Sequence, residues 1–313
     1  MRCGVHGPHA RGQQPVLTAV APRFTLAAMA YLDHIVACNT HDLGHYRPLF
    51  IGPQRVGWLR HPTAERLVTL TTLFVAGDGG GVALHPRLDS VESRSDALDE
   101  AARRLAAEGL APAFRGERYG VAARWGLPAL ATVDRGVVSL FGMRSYGIHV
   151  NGVVRRPDGL HLWVGRRADD RPVAPGKLDN MVAGGQPAHL SLADNLVKEA
   201  AEEADLPETL ARTAQPVGAI AYCCEDCWGL KPDVMFCYDL AVPDDFIPRN
   251  TDGEISGFTL MPATEVMTRV RDSFDFKFNV NLVILDFLIR HGMLSADNEP
   301  SYMQIVLELR RTC

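Results

Sequence analysis

The stretch Gly184-Gly-Gln-Pro-Ala-His-Leu-Ser-Leu-Ala-Asp-Asn-Leu-Val-Lys198-Glu199-Ala-Ala-Glu202-Glu203-Ala-Asp-Leu206 decides how this chain is read. Ser191 is a good N-cap residue, and the residues after it favour a helix to about Ala204. On that helix Glu199, Glu202 and Glu203 are spaced i, i+3, i+4, so they share a face. Like charges in this arrangement repel, and a divalent cation offsets the repulsion. Mg²⁺ takes oxygen ligands at about 2.0–2.1 Å and keeps positions for water and phosphate. Ala193, Leu196, Val197 and Ala200 are expected to face the core. Glutamates clustered on a helix are more often a solvated face than a site. The Gly184–Gly185 loop and the strand before it shift that balance toward a site.

Strand patterns surround this helix. Tyr146 to Val154, the turn at Pro157-Asp-Gly159 and Leu160 to Val164 read as a hairpin. Further strands are expected at Val217 to Cys224, Val234 to Leu240 and Gly257 to Leu260. A second helix runs from Asn281 to His291, with Gly292 past its end. Together these predict an α/β/α sandwich with a mixed sheet over residues 141–292.

A smaller α+β domain is expected over 29–140. Its elements are a short helix around Leu32, Ile35 and Val36, strands at Arg55 to Leu59 and Leu67 to Val75, and a turn at Gly77 to Gly81. A strand at Val82 to Leu84 and a helix capped by Ser95 follow, the helix running from Asp96 to Glu108. Residues 293–313 read as a C-terminal tail. Residues 1–28 lack Asp and Glu and carry Arg2, Arg11 and Arg23. They read as a disordered leader, for which a transit peptide and a segment ahead of a start at Met29 fit equally.

Bulk properties narrow the class. A length of 313 residues suits two domains. A net charge of −5 advertises no affinity for nucleic acid. No apolar run approaches the roughly 20 residues that cross a bilayer. The 7 cysteines are odd in number and not dense, which points to free thiols and a cytoplasmic setting. Cys224-Glu-Asp-Cys227 invites a zinc or redox reading. With no second ligand pair, thiols buried at a strand end are the better one.

The 184–206 stretch resembles the Nudix box, G-x5-E-x7-R-E-U-x-E-E-x-G-U with U apolar. Counted from Gly184, it supplies Glu199, Ala200, Glu202, Glu203 and Leu206 in register. Lys198 stands at the Arg, Leu190 at the first Glu and Asp205 at the second Gly. The strand ending in Arg166-Arg167 and the segment Asp252-Gly-Glu254-Ile-Ser-Gly-Phe258 also look like Nudix elements. The resemblance implies a metal-dependent hydrolase of a diphosphate linkage. Glu199, Glu202 and Glu203 would hold Mg²⁺, with Mn²⁺ an alternative, and Glu199, Glu203 or Glu254 would act in catalysis. Glu225 is a further candidate base. Arg166, Arg167, Lys177 and Lys231 would contact phosphate, while Gly184, Gly185 and Lys198 would support the site.

A narrower resemblance is to the thiamine-pyrophosphokinase-associated Nudix branch, which carries an extra N-terminal domain. It rests on residues 177–185, Gly229-Leu-Lys-Pro-Asp233, residues 248–254 and Asp275-Phe-Lys-Phe-Asn279. That branch implies damaged or oxidised thiamine diphosphate species as substrates, or oxidised nucleoside diphosphates. The N-terminal domain would then cover the site or mediate homodimer contacts. Two rivals stay open. One is an isoprenyl-diphosphate isomerase using Cys223 or Cys224 as acid. The other is a ligand-sensing module, suggested by Leu190 and Asp205.

Overall fold

The computed structural model describes residues 30–313, so the leader expected over 1–28 lies outside the described residues. In the N-terminal part, helix α1 (Tyr31–Cys38) precedes strands β1 (Tyr46–Ile51) and β2 (Gln54–Arg60). Helix α2 (His61–Val68), strands β3 (Phe74–Ala76) and β4 (Val82–Leu84) and helix α3 (Val91–Ala107) follow. The four strands form a sheet in the order β2-β1-β4-β3. A separate ribbon pairs β5 (Arg118–Val121) with β6 (Ala131–Asp134).

Two sequence expectations fail in this part. Leu67 to Val75 is not one strand: Leu67 and Val68 end α2, and strand begins only at Phe74. Pro62 in the first turn of α2 suits a helix start. Burial of Ala64 and Leu67 then overrides the strand preference of the Thr-rich run. Ser95 is not a cap either. Ser90 caps α3 by accepting from the Ser93 N–H, and Ser95 lies inside the helix, donating its hydroxyl to Val91 O.

The C-terminal part is built on a seven-stranded mixed sheet. Its main path is β11 (Gln215–Glu225), β12 (Leu230–Ala241), β7 (Tyr146–Arg156), β8 (Gly159–Arg167) and β13 (Ile255–Pro262). Strands β7 and β8 form the expected hairpin, and β7 lies parallel to β12 from Tyr146↔Val234 to Val153↔Ala241. Short strands β9 (Leu178–Asp179) and β10 (Val182–Gly185) pair with β8 and β7. On one face lie α4 (Leu192–Ala204) and α5 (Glu208–Ala211), over a core of Ile148, Val150, Val182, Leu196, Ala200 and Leu240. On the other lie α6 (Ala263–Asp272) and α7 (Val280–Arg290), around Val266, Val270, Phe276, Leu285 and Phe287. This is an α/β/α sandwich preceded by a smaller α+β unit.

Helix α1 joins the second core through Tyr31, Ile35 and Cys38. Residues 293–313, expected as a tail, contain α8 (Tyr302–Glu308) and bury Leu294, Ile305 and Leu309 in the same core. The two parts also meet through a main-chain bond, Ala188 N–H donating to Arg118 O at 2.8 Å.

Candidate active site

Helix α4 has the limits read from the sequence, and Ser191 caps it by accepting from Asp194 N–H at 3.1 Å. Leu196, Ala200 and Ala204 face the sheet, whereas Ala193, expected in that stripe, is exposed. Asp205 ends the helix in the left-handed conformation, φ 52°. That geometry is what the glycine of the resembled motif serves. Beyond β12 the chain returns to this end of α4. Arg249 N–H donates to Ala204 O and Thr251 N–H to Glu202 O, each at 3.1 Å. This contact brings the loop before Glu254 onto α4.

Strand β10 makes the seat for the carboxylates. A Cβ added to Gly184 would stand 2.3 Å from the Glu199 carboxyl carbon, so only glycine admits Glu199 there. Glu203 is buried and accepts from Ala183 N–H at 2.8 Å. Burial raises the Glu203 pKa well above the usual carboxylate range; that N–H opposes the rise, while Asp179 and Glu199 add to it. Burial also raises Glu199, against the pull of Lys198. Lys198 donates to Glu199 at 3.1 Å and to Glu202 at 2.7 Å. Burial works against its charge, but the Glu202 and Glu199 bonds outweigh it and hold the ammonium protonated.

The three glutamates do not converge as expected. Among the described residues, the group of three potential ligands with donor atoms all within 4.8 Å is His41, Cys223 and Cys313. Glu202 points outward, with its side chain 46% exposed, and is drawn to Lys198. Mutual repulsion and one shared lysine are sufficient cause. Glu199 and Glu203 remain as the inward pair.

The expected phosphate contacts separate. Arg167 is buried, with its guanidinium 2.8 Å from Asp179 and a bond to Val173 O, so it is committed to structure and not open to an anion. Neighbouring strand residues face opposite ways. Arg166 accordingly turns to Asp169 at 2.8 Å and, with Lys177, lines a different cleft of about 460 Å³ that includes Arg269 and Asp275. Lys177 also donates to Phe274 O at 2.7 Å. Lys231 pairs with Asp233 at 3.5 Å, and that carboxylate raises its pKa. Glu254 pairs with Arg171 at 2.6 Å. Glu225 faces Arg60 and Asp42 N–H of the N-terminal unit.

Sequence reasoning missed several groups. Asp179 is held by Arg167 and by Lys277, 3.3 Å away. Its burial opposes the charge, yet these cations keep its pKa below the usual value. His149, read as structural, is buried and donates through Nδ1 to Asn180 Oδ1 at 2.9 Å. From the N-terminal unit, the Tyr119 hydroxyl packs against Gly185, and the Arg135 guanidinium lies 6.0 Å from the Tyr119 ring. A lone Tyr and a lone Arg outside any motif offered no sequence signal.

The cysteine expectation needs correction. Cys223 and Cys313 form a disulfide with Cα atoms 6.1 Å apart, although 90 residues separate them. A cysteine count cannot see such proximity. Cys224 is a free thiol, pushed up to about 12 by burial. Neither residue is suited to act as the acid of an isomerase.

The profile of a domain of unknown function (DUF4743) matches residues 30–145. Nudix hydrolase 24, chloroplastic, of Arabidopsis thaliana is 38% identical over 283 residues, spanning 90% of this chain and 77% of that protein. Nudix hydrolase 20, chloroplastic, of the same plant is 35% identical over 294 residues, spanning 90% and 78%. The chain belongs to the Nudix hydrolase family. It is accordingly an enzyme, a hydrolase acting on phosphorus anhydrides. Among solved structures, the Nudix domain of Shewanella oneidensis NrtR, crystallised with ADP ribose, aligns at TM-score 0.38 and 14% identity, over 49% of this chain and 91% of that one. Among the described residues no helix is long and apolar enough to cross a membrane.

Nudix enzymes use divalent cations, and the donor set here fits one. Glu199 and Glu203 are inward carboxylates whose burial raises the cost of ionisation, with Asp179 and Glu199 adding to that of Glu203. A hard cation with oxygen ligands relieves that cost. Glu202 joins them only by leaving Lys198.

Proposed function

We propose that this chain hydrolyses the diphosphate linkage of a small organic diphosphate. Among such substrates we favour an oxidised or damaged thiamine diphosphate analogue, with an oxidised nucleoside diphosphate next. The observation that carries the reading is the inward pair Glu199 and Glu203, seated against Gly184 and Ala183 of β10. The thiamine preference rests on the resemblance of residues 177–185, 229–233, 248–254 and 275–279.

Glu199 and Glu203 would hold Mg²⁺ or Mn²⁺, and Glu202 is the further donor within reach of a side-chain rotation. Bound there, the cation supplies Lewis acidity toward phosphate oxygens. Glu199 is the stronger candidate for base. Its side chain keeps 13% exposure, whereas Glu203 is buried. Lys198 fixes Glu199 in orientation. Glu254 is the remote alternative and must first give up Arg171.

A mass-spectrometric panel tests this reading. Thiamine diphosphate, its ring-oxidised analogues and oxidised nucleoside diphosphates are incubated with the protein and Mg²⁺ or Mn²⁺. Release of the corresponding monophosphate from at least one class is expected. A panel left intact, with ligand binding retained, would favour the sensing module instead.

A further inference from the structure

Resting on the diphosphate reading, we propose that the N-terminal unit completes the catalytic centre, with Arg135 as a phosphate-binding cation and Tyr119 as a positioning residue. The geometry begins at the glycine pair. Gly184 and Gly185 end β10, and successive strand residues face opposite sides. The Glu199 carboxyl group fills the side-chain space of Gly184. The Tyr119 hydroxyl fills that of Gly185, where an added Cβ would stand 1.6 Å from it. The catalytic strand is therefore clasped between its own helix and the N-terminal ribbon. Ala188 N–H, donating to Arg118 O, fastens the same ribbon to the loop leading into α4.

Arg135 follows β6 directly. It pairs with Glu117 at 2.7 Å, and its guanidinium lies 6.0 Å from the Tyr119 ring. Its side chain is 50% exposed. A guanidinium has five N–H donors in a planar fork, so one carboxylate leaves donors for phosphate oxygens. The Tyr119 ring, whose hydroxyl sits at Gly185, therefore links Arg135 to the strand that seats Glu199.

The cations singled out by the sequence are engaged elsewhere. Lys198 is taken by Glu199 and Glu202, and Arg167 by Asp179. Arg166 and Lys177 face the separate cleft. An anionic substrate approaching the glutamates needs an exposed positive group beside β10, and Arg135, half exposed and packed over the Tyr119 ring that reaches Gly185, supplies it. Tyr119 would act through Gly185, keeping β10 in register with Glu199, and touches no substrate.

Inorganic pyrophosphate, titrated calorimetrically into the full chain with Mg²⁺, tests the subsite without requiring turnover. R135Q should weaken pyrophosphate binding roughly 10- to 100-fold, as expected for a lost charge-assisted contact. R135K, which keeps the charge without the fork, should recover part of the loss. R104Q, on the exposed face of α3 and paired with Glu100, should match the parent. Y119F should lower kcat about tenfold at unchanged KM and thermal midpoint, a split that general destabilisation does not produce. Unchanged pyrophosphate affinity in both Arg135 variants overturns the subsite, whatever the turnover. Weakened binding beside a parent that hydrolyses no diphosphate overturns the hydrolytic reading and leaves the subsite standing.

Discussion

Replacing Gly184 with alanine should cost this enzyme far more activity than stability. The added Cβ would stand 2.3 Å from the Glu199 carboxyl carbon, whereas ordinary contact begins near 3.4 Å. Glu199 must then retreat by about 1 Å, from the difference of those distances. The obstacle is the far end of a flexible side chain, so the fold can yield at a cost of about 1 kcal/mol, the low end of overpacking. A misplacement of about 1 Å at a catalytic group commonly costs about 10²-fold in rate. That corresponds to roughly 2.7 kcal/mol of barrier. Steady-state kinetics on the best substrate of the panel, beside a thermal melt, measures both quantities. G184A within about twofold of the parent in kcat would refute the claim that Glu199 works from this seat.

Other consequences can be checked independently. Asp205→Gly should stabilise the protein by roughly 0.5–1 kcal/mol, because it removes left-handed strain but adds chain entropy, and denaturant titration would detect it. Buried His149 should cost stability on acidification. Held down to about 4 by burial and by Lys277, it stays neutral while the unfolded chain takes up a proton near 6.5. That differential removes roughly 3 kcal/mol between those two pH values, and Asp179 adds a further loss below them as it is protonated through its lowered pKa. Glu199 and Glu203, raised by burial, work in the opposite direction as they take up protons, so the test uses the E199Q/E203Q double variant. Its urea midpoints should drop with pH across this window, and a flat profile would contradict the burial of His149. Reducing the Cys223–Cys313 bond should cost roughly 2–4 kcal/mol, given the long loop it closes. C313S, which breaks this bond alone, should show that loss in non-reducing buffer.

How much of this was legible depended on whether the signal was local. Helix α4 was read to the residue because its cap, its apolar spacing and its closing turn all lie within one segment. The β7–β8 hairpin was legible for the same reason, through the turn at Pro157-Asp-Gly159. Leu67 misled because β-branched composition is a weak preference that a buried helix face can override. Arg166 and Arg167 were indistinguishable in sequence, since adjacent strand positions differ only in which face they meet. The partners of Arg167, Asp179 and Lys277, come from segments far apart in the chain. The contact of Tyr119 with Gly185 joins two units across a long stretch of chain, and no periodicity encodes it.

The central claim is that the buried Glu203 carboxylate exists for chemistry at the expense of stability. E203Q keeps an acceptor for Ala183 N–H and removes a charge that burial, Asp179 and Glu199 all disfavour. Its thermal melt and its turnover should be measured on one preparation. The account predicts a gain of about 0.5–2 kcal/mol in stability, typical of relieving a functional site, with hydrolysis lost. A variant that is no more stable than the parent and still cleaves the diphosphate would contradict it.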